Sequence, residues 1–256
     1  MKDILEYNKQ APNDYPFVYQ DTMERVFAED FNKTLVEYED RLLKNISNYG
    51  PDYNIIRKDV RYRRPSSYER FYTVDSSDIH DVLAENFVRA YKVGGQQGYK
   101  DFGKDIEFNL GVFDIDEIAL SVGDKVGAIT NSYKNLVLSK LRVAFNRESS
   151  FRDFYSDLLS YKDFQKADPT YTTPMPSKKN MVDNYATREI TRNVFNGRMS
   201  AYGNTKRIAT YIYKTRADER VSSICAPFHN QVFQPDQVQG LIPKHRNCRC
   251  TVVPNT

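Results

Sequence analysis

The chain has 256 residues, 40% of them hydrophobic and 28% charged, which suits a water-soluble globular protein with one well-cored domain and room for a small second one. No run of 18 apolar residues is present, so no membrane span is expected, and the charged start Met1-Lys2-Asp3 lacks the apolar centre of an export signal. The net charge of +3 is unevenly spread: residues 171–256 carry 13 Lys/Arg against 5 Asp/Glu, which leaves 24 against 29 for residues 1–170. A basic end joined to an acidic body suits contact with a polyanion or an acidic protein surface, and equally suits plain solubility.

Residues 1–20 are polar, with prolines at 12 and 16, and read as an arm. Met23, Phe27, Phe31, Leu35, Tyr38, Leu42 and Ile46 then recur at helical spacing behind a capping-box pair, Asp21 and Glu24, until Gly50-Pro51 ends the run. From Arg57 to Arg70 the sequence is basic and rich in tyrosine; it reads as a solvated loop, with Arg61, Arg63 and Arg64 as candidate contacts for phosphates or a single strand. A second helix starts near Ser77 or Asp78, with His80 on its surface, and runs through Ile79, Val82, Phe87 and Tyr91 toward Gly94-Gly95-Gln96-Gln97-Gly98. No strand precedes these glycines and no Gly-Lys-Ser/Thr closes them, so close packing or a break between helices explains them better than a phosphate loop. Val126, Ile129, Tyr133, Leu136, Val137, Leu141 and Ala144 form the stripe of a helix of about 22 residues. Ser150 and Asp153 then cap a helix of about 12 residues whose apolar face holds Phe151, Phe154, Leu158 and Tyr161.

Residues 165–179 hold three prolines and few large apolar side chains, as a linker or crossover does. Helix returns from about Met181 to Tyr202, with Val182, Ala186, Ile190, Val194 and Ala201 on one side and Arg188, Arg192 and Arg198 on its other faces. The β-branched and aromatic run Arg207–Tyr213 reads as a strand, and Cys250–Val253 as its partner. The expected fold class is therefore α+β: a mainly helical body with a small C-terminal antiparallel β module closed by a Cys/His cluster.

All three cysteines and two of the three histidines lie within residues 215–254. Cys225, His245, Cys248 and Cys250 make a Cys₃His set of the kind that holds structural zinc, with His229 as a stand-in for one ligand. Cys248 and Cys250 are separated by one residue, which turns both thiols to one side of an extended chain but strains a shared metal unless the backbone bends. Three is an odd count, which fits a reducing compartment better than a disulfide framework. Bound zinc, buried reduced thiols and a disulfide through Cys225 all remain open at this level. Asp218, Glu219 and Arg220 follow the strand and read as a turn with a local ion pair.

The order of these parts resembles the tailed-phage head morphogenesis family typified by the F protein of phage Mu. The likeness is carried by Ala186-Thr-Arg-Glu-Ile-Thr-Arg-Asn193, then Thr215-x-x-Asp-Glu-Arg-Val-x-x-x-Cys225-Ala-Pro, then Pro243-x-His-x-Asn-Cys-Arg-Cys-Thr-Val-Val-Pro254. It covers roughly residues 78–254 and is strongest over 184–254, with the closing His-x-Asn-Cys-Arg-Cys as its most specific element. Arg188, Glu189, Asp218, Arg220 and Asn247 fall on the family motif, and Arg188 with Glu189 is expected to dock the closure through a buried pair or to lie on the surface. The family's Cys-x-x-Cys stands here as Ser222-Ser-Ile-Cys225, so a four-cysteine site is ruled out.

The resemblance implies a minor capsid protein in the virion, at the head interior or portal vertex, made in the host cytoplasm and not an enzyme. Its implied partners are the portal protein and the major capsid or scaffold protein, with phage DNA as a non-specific partner and no membrane; it would assist head assembly, DNA packaging or ejection. Arg61, Arg63, Arg64, Arg192, Arg198, Arg246 and Arg249 are the candidate contacts for DNA or an acidic partner. The expected organisation is an arm, long helix and basic loop over 1–77, a helical body over 78–164, a linker over 165–180 and the Mu F-like module over 181–256. A competing reading is a metal-dependent nuclease built on the His/Cys cluster, but such an enzyme needs an open metal position or a nucleophile with a base in reach, and the cysteines would fill the metal shell.

Overall fold

Eight α-helices and three short β-strands make up the described part of the chain. The structure, a computed structural model, describes residues 20–61, 65–160, 178–205, 208–216 and 221–255. The helices are α1 (Gln20–Asn48), α2 (Tyr53–Arg61), α3 (Pro65–Tyr72), α4 (Ser77–Lys100), α5 (Val112–Asn146), α6 (Phe151–Ser160), α7 (Lys178–Gly203) and the one-turn α8 (Pro235–Val238). The strands are β1 (Tyr211–Lys214), β2 (Val232–Phe233) and β3 (Thr251–Pro254), in the antiparallel order β2-β1-β3. Tyr211 pairs with Phe233 on one side and Pro254 on the other, so β1 is the central strand. The α+β class expected from the sequence is what the chain forms, and β3 is the partner anticipated for β1.

Several differences have local physical reasons. The basic stretch expected as a loop is helical wherever it is described, in α2 and α3. Pro65 is pre-set for a first helical position, and Tyr53, Ile56, Phe71 and Tyr72 give the two helices buried faces. The glycine run 94–98 does not break α4, and only Gly103, with φ +67°, turns the chain. Helix α5 has 35 residues, longer than its apolar stripe indicates. Its first turns bury Asp114, Ile118 and Val122 but leave Val112, Phe113, Ile115 and Leu120 exposed, so apolar residues fall on both faces and blur the stripe.

The described chain divides into two compact units. One takes Asp30–Val82 and Ser121–Met181. Its core holds the stripe of α1 from Phe31 to Ile46, and Tyr133, Val137, Leu141 and Ala144 of α5. Tyr53 stacks on Phe154 with ring centroids 5.8 Å apart and meets Phe145 and Phe151 at 5.2 and 5.4 Å, a nest that fixes α2 and α6 against the end of α5. The expected cap of α6 is present: the Asp153 amide donates to Ser150 Oγ at 3.2 Å and the Ser150 hydroxyl donates to Asp153 Oδ2 at 2.7 Å.

The second unit takes the described residues up to Glu29, Leu83–Leu120 and the described residues from Val182 onward. Here α4 and α7 approach so closely that a Cβ on Gly94 would lie 2.0 Å from the Val194 carbonyl oxygen, and one on Gly197 would lie 1.9 Å from that of Tyr91. Close packing is thus the role of the glycine run. Phe195, Tyr202, Tyr211, Tyr213, Val238, Ile242 and Val252 surround the three cysteines in an apolar cluster beneath the sheet.

Candidate functional site

The cysteine cluster is assembled by the last 35 described residues. A turn over Ser222–Cys225, held by the Cys225 and Ala226 amides donating to the Ser222 carbonyl at 2.9 Å each, points the Cys225 thiol inward. The Cys248 amide donates to the His245 carbonyl at 3.2 Å, curling the chain so that both side chains meet Cys225. His245 Nε2 lies 3.1 Å from Cys225 Sγ, and the Cys225 and Cys248 sulfurs are 3.9 Å apart. These three ligand atoms all lie within 4.8 Å of one another. Cys250, two residues on, falls outside that trio but hydrogen-bonds Cys248 through its thiol. His229, the alternative ligand, is engaged elsewhere: its Nδ1 lies 2.7 Å from Thr215 Oγ1 and accepts the Thr215 amide at 3.2 Å.

The thiols differ in ionisation. The hydrogen bond from Cys250 brings Cys248 down to about 5, with burial opposing it and His245 assisting. Burial pushes Cys225 up, and the same bond to Cys248 pushes Cys250 up. The Tyr213 hydroxyl donates to Cys225 Sγ at 3.4 Å, and desolvation holds that phenol well above its ordinary range. A cleft of about 20 Å³ opens beside the cluster, lined by Cys225, His245, Cys250, Ser222, Asn247 and Arg216 among others. Ser222, at the place of the absent first cysteine, therefore faces the same cleft.

One face of α7 holds this assembly. The Thr191 hydroxyl donates to the Cys248 carbonyl at 2.7 Å and accepts from the Gln20 amide. Arg198 Nη1 donates to Thr251 Oγ1 at 2.9 Å, and the Tyr202 hydroxyl donates to the Val252 carbonyl at 3.2 Å. From Thr187 onward these positions are spaced by four, seven and four residues, a single helical stripe. Thr187 itself donates to Glu24 Oε2 at 3.0 Å, where Arg249 also donates through Nε and Nη2 at 3.0 and 2.9 Å. Arg216 donates to Asp21 at 2.6 Å. The two acids expected to form a capping box on α1 thus receive arginines from the C-terminal module.

The other motif residues have distinct placements. Glu189 is fully buried and bridges Arg188 at 2.9 Å and Arg192 at 2.7 Å, so the pair is buried rather than on the surface. Asn247 is exposed at the cleft. Asp218, Glu219, Arg220, Arg63 and Arg64 lie outside the described residues, and Arg61 ends α2. Arg198 must be removed from the candidate surface contacts: its side chain is 0% exposed and faces Asp101 at 3.6 Å, because a charge on this stripe lies under β3. Arg249 is committed to Glu24 and Arg192 to Glu189, and Arg192, Arg246 and Arg249 all keep partial exposure. Nothing in the spacing of Gln20, Glu24, Asp101 or Thr191 marks them as partners of the closure, since their contacts span 57 to 225 positions or depend on the Gly94 to Gly197 crossing.

Burial pushes the Glu24 carboxyl above its ordinary 4.5, and Arg249 and Thr187 offset part of the rise. A raised folded-state value means the stabilisation is fully present below pH 4.5 and is lost as pH rises through the folded value. The stability of the wild type minus that of Glu24→Gln, from urea melts between pH 4 and 7, should therefore fall with rising pH. A difference that rises would mean the Arg249 pair outweighs desolvation.

Residues 161–253 match the family described as phage Mu protein F like protein. No curated protein and no solved structure matches the chain.

Proposed function

We propose, from the match of residues 161–253 to the phage Mu protein F like family, that this protein is a minor head component of a tailed phage that docks at the portal or procapsid and assists head assembly, DNA packaging or ejection. Its partners in this reading are the portal protein and the major capsid or scaffold protein, at the head interior or portal vertex. The observation that carries the reading is the family match over the module whose polar side chains are spent on internal fastening. Thr191, Arg198, Tyr202 and Arg249 all hold the closure to helices, and Cys225 and Cys248 are 1% and 0% exposed, which suits a structural clasp better than a nucleophile that substrate must reach. No described helix is long and apolar enough to cross a membrane.

Mass spectrometry of purified procapsids and virions tests this directly. The chain is expected in one or both at a few copies per particle, and absence from both sinks the proposal. Contact with DNA, through basic side chains such as Arg192 and Arg246 that keep partial exposure, should be independent of sequence and should weaken steeply between about 50 and 200 mM salt. Undiminished retention on DNA at the higher salt would exclude an electrostatic mode.

A further inference from the structure

We infer that Cys225, His245, Cys248 and Cys250 hold one structural Zn²⁺ that locks the C-terminal module closed. This holds independently of any role in a phage head. A tetrahedral zinc with sulfur at about 2.3 Å and nitrogen at about 2.0 Å sets its ligand atoms about 3.8 Å apart between sulfurs and about 3.6 Å between sulfur and nitrogen. The Cys225 and Cys248 sulfurs, 3.9 Å apart, already have that spacing. His245 Nε2, at 3.1 Å from Cys225 Sγ, needs to draw back by about half an ångström. Its residue is only half-buried and lines the cleft, which leaves room for that shift.

Cys250 supplies the fourth ligand. Its thiol hydrogen-bonds Cys248 and lines the same cleft as Cys225 and His245, but it stands outside the close trio, so its side chain must reorient to reach the metal. Thiolate and imidazole donors select zinc over the oxygen-loving magnesium and calcium. The outer contacts are those a metal site uses to aim its ligands: the Tyr213 hydroxyl on Cys225 Sγ, and the Thr191 hydroxyl on the Cys248 carbonyl. On binding, each cysteine that still carries a proton releases it to solvent as three Zn–S bonds form, and His245 contributes the Nε2 lone pair; nothing is oxidised or reduced. The bonds tie the Ser222–Cys225 turn directly to the 245–250 run.

The test uses the full chain without a histidine tag, purified under reducing conditions and given equimolar Zn²⁺ before desalting. Elemental analysis should find about one zinc per chain, and Cys248→Ser should retain less than about a fifth of that. Reconstitution with Co²⁺ should give the visible absorption of a four-coordinate ion. Its sulfur-to-metal band should drop by about one third in Cys250→Ser, because one of three thiolates is lost. Stripping the metal from the wild type with a chelator should lower the melting temperature, and zinc should restore it, a readout independent of any variant's folding. A folded wild-type chain that holds less than about a tenth of an equivalent of zinc and melts alike with and without it would overturn the site in favour of buried thiols. A Cys225–Cys248 disulfide found by non-reducing mass spectrometry would overturn it as well, and an unchanged band in Cys250→Ser would overturn the four-ligand set.

Discussion

Replacing Gly197 by alanine should lower the unfolding free energy by about 2–4 kcal/mol, although alanine is the better helix former by about 1 kcal/mol. The added methyl would sit 1.9 Å from the Tyr91 carbonyl oxygen, which is backbone and cannot swing aside, so α4 and α7 would have to separate. Separation would strip packing along the contact and loosen the stripe from Thr187 to Tyr202 that grips the C-terminal run. Gly123→Ala makes the contrast sharp: that glycine lies in α5, and a methyl added there would meet nothing within 4 Å, so the same chemical change should stabilise by about 0.5–1 kcal/mol. Urea melts of the two variants and the wild type decide the matter. Equal effects of either sign would mean that the helix crossing yields more readily than its spacing implies.

The second large effect is expected at Arg198. This guanidinium is wholly buried, with Asp101 at 3.6 Å and Thr251 accepting from Nη1, while Asp101 also accepts from the Tyr202 hydroxyl. Removing one member of a buried pair leaves the other charge without compensation, so Arg198→Ala should cost about 3–5 kcal/mol at neutral pH. Burial already pushes the Asp101 carboxyl up against the pull of Arg198. Without the arginine it rises further, and the deficit should shrink as the solution is acidified and Asp101 takes a proton. Arg198→Met with Asp101→Asn should recover part of the loss. If Arg198→Ala costs less than about 1 kcal/mol, the pair is not what fastens β3 to α7.

The sequence is most readable where burial is periodic. The stripes of α1, α4 and α7 and the cap of α6 follow from spacing alone, because each helix hides one face. The start of α5 is not readable, because exposed Val112, Phe113 and Leu120 are interleaved with buried Ile118 and Val122, so apolar residues on both faces hide the period. The glycine run of α4 carries its meaning in a partner helix about 100 residues away, where Gly94 meets Val194. At the site, the types and closeness of Cys225, His245 and Cys248 can be read, since cysteine and histidine are scarce and clustered. What aims them cannot: Thr191 and Glu24 are common residue types at ordinary positions, and only the fold brings them under the closing run. Arg198 shows the same limit from the other side, since a helical arginine reads as solvent-facing until a strand is laid over it.

The bond between Glu24 and Arg249 also sets a schedule. The two residues are 225 positions apart, and a ribosome adding about 5–20 residues per second needs about 11–45 s to cover that distance. Throughout that interval the first turns of α1 exist without the arginine that will neutralise Glu24, and the Gln20 amide has no Cys248 carbonyl behind Thr191 to complete its chain. A carboxylate awaiting so distant a partner keeps its water, so this end of α1 stays undocked while the middle of the chain is made. Completion of this unit therefore waits until the run around Arg249 has been made, and its rate is governed by long-range closure rather than by how fast its helices form.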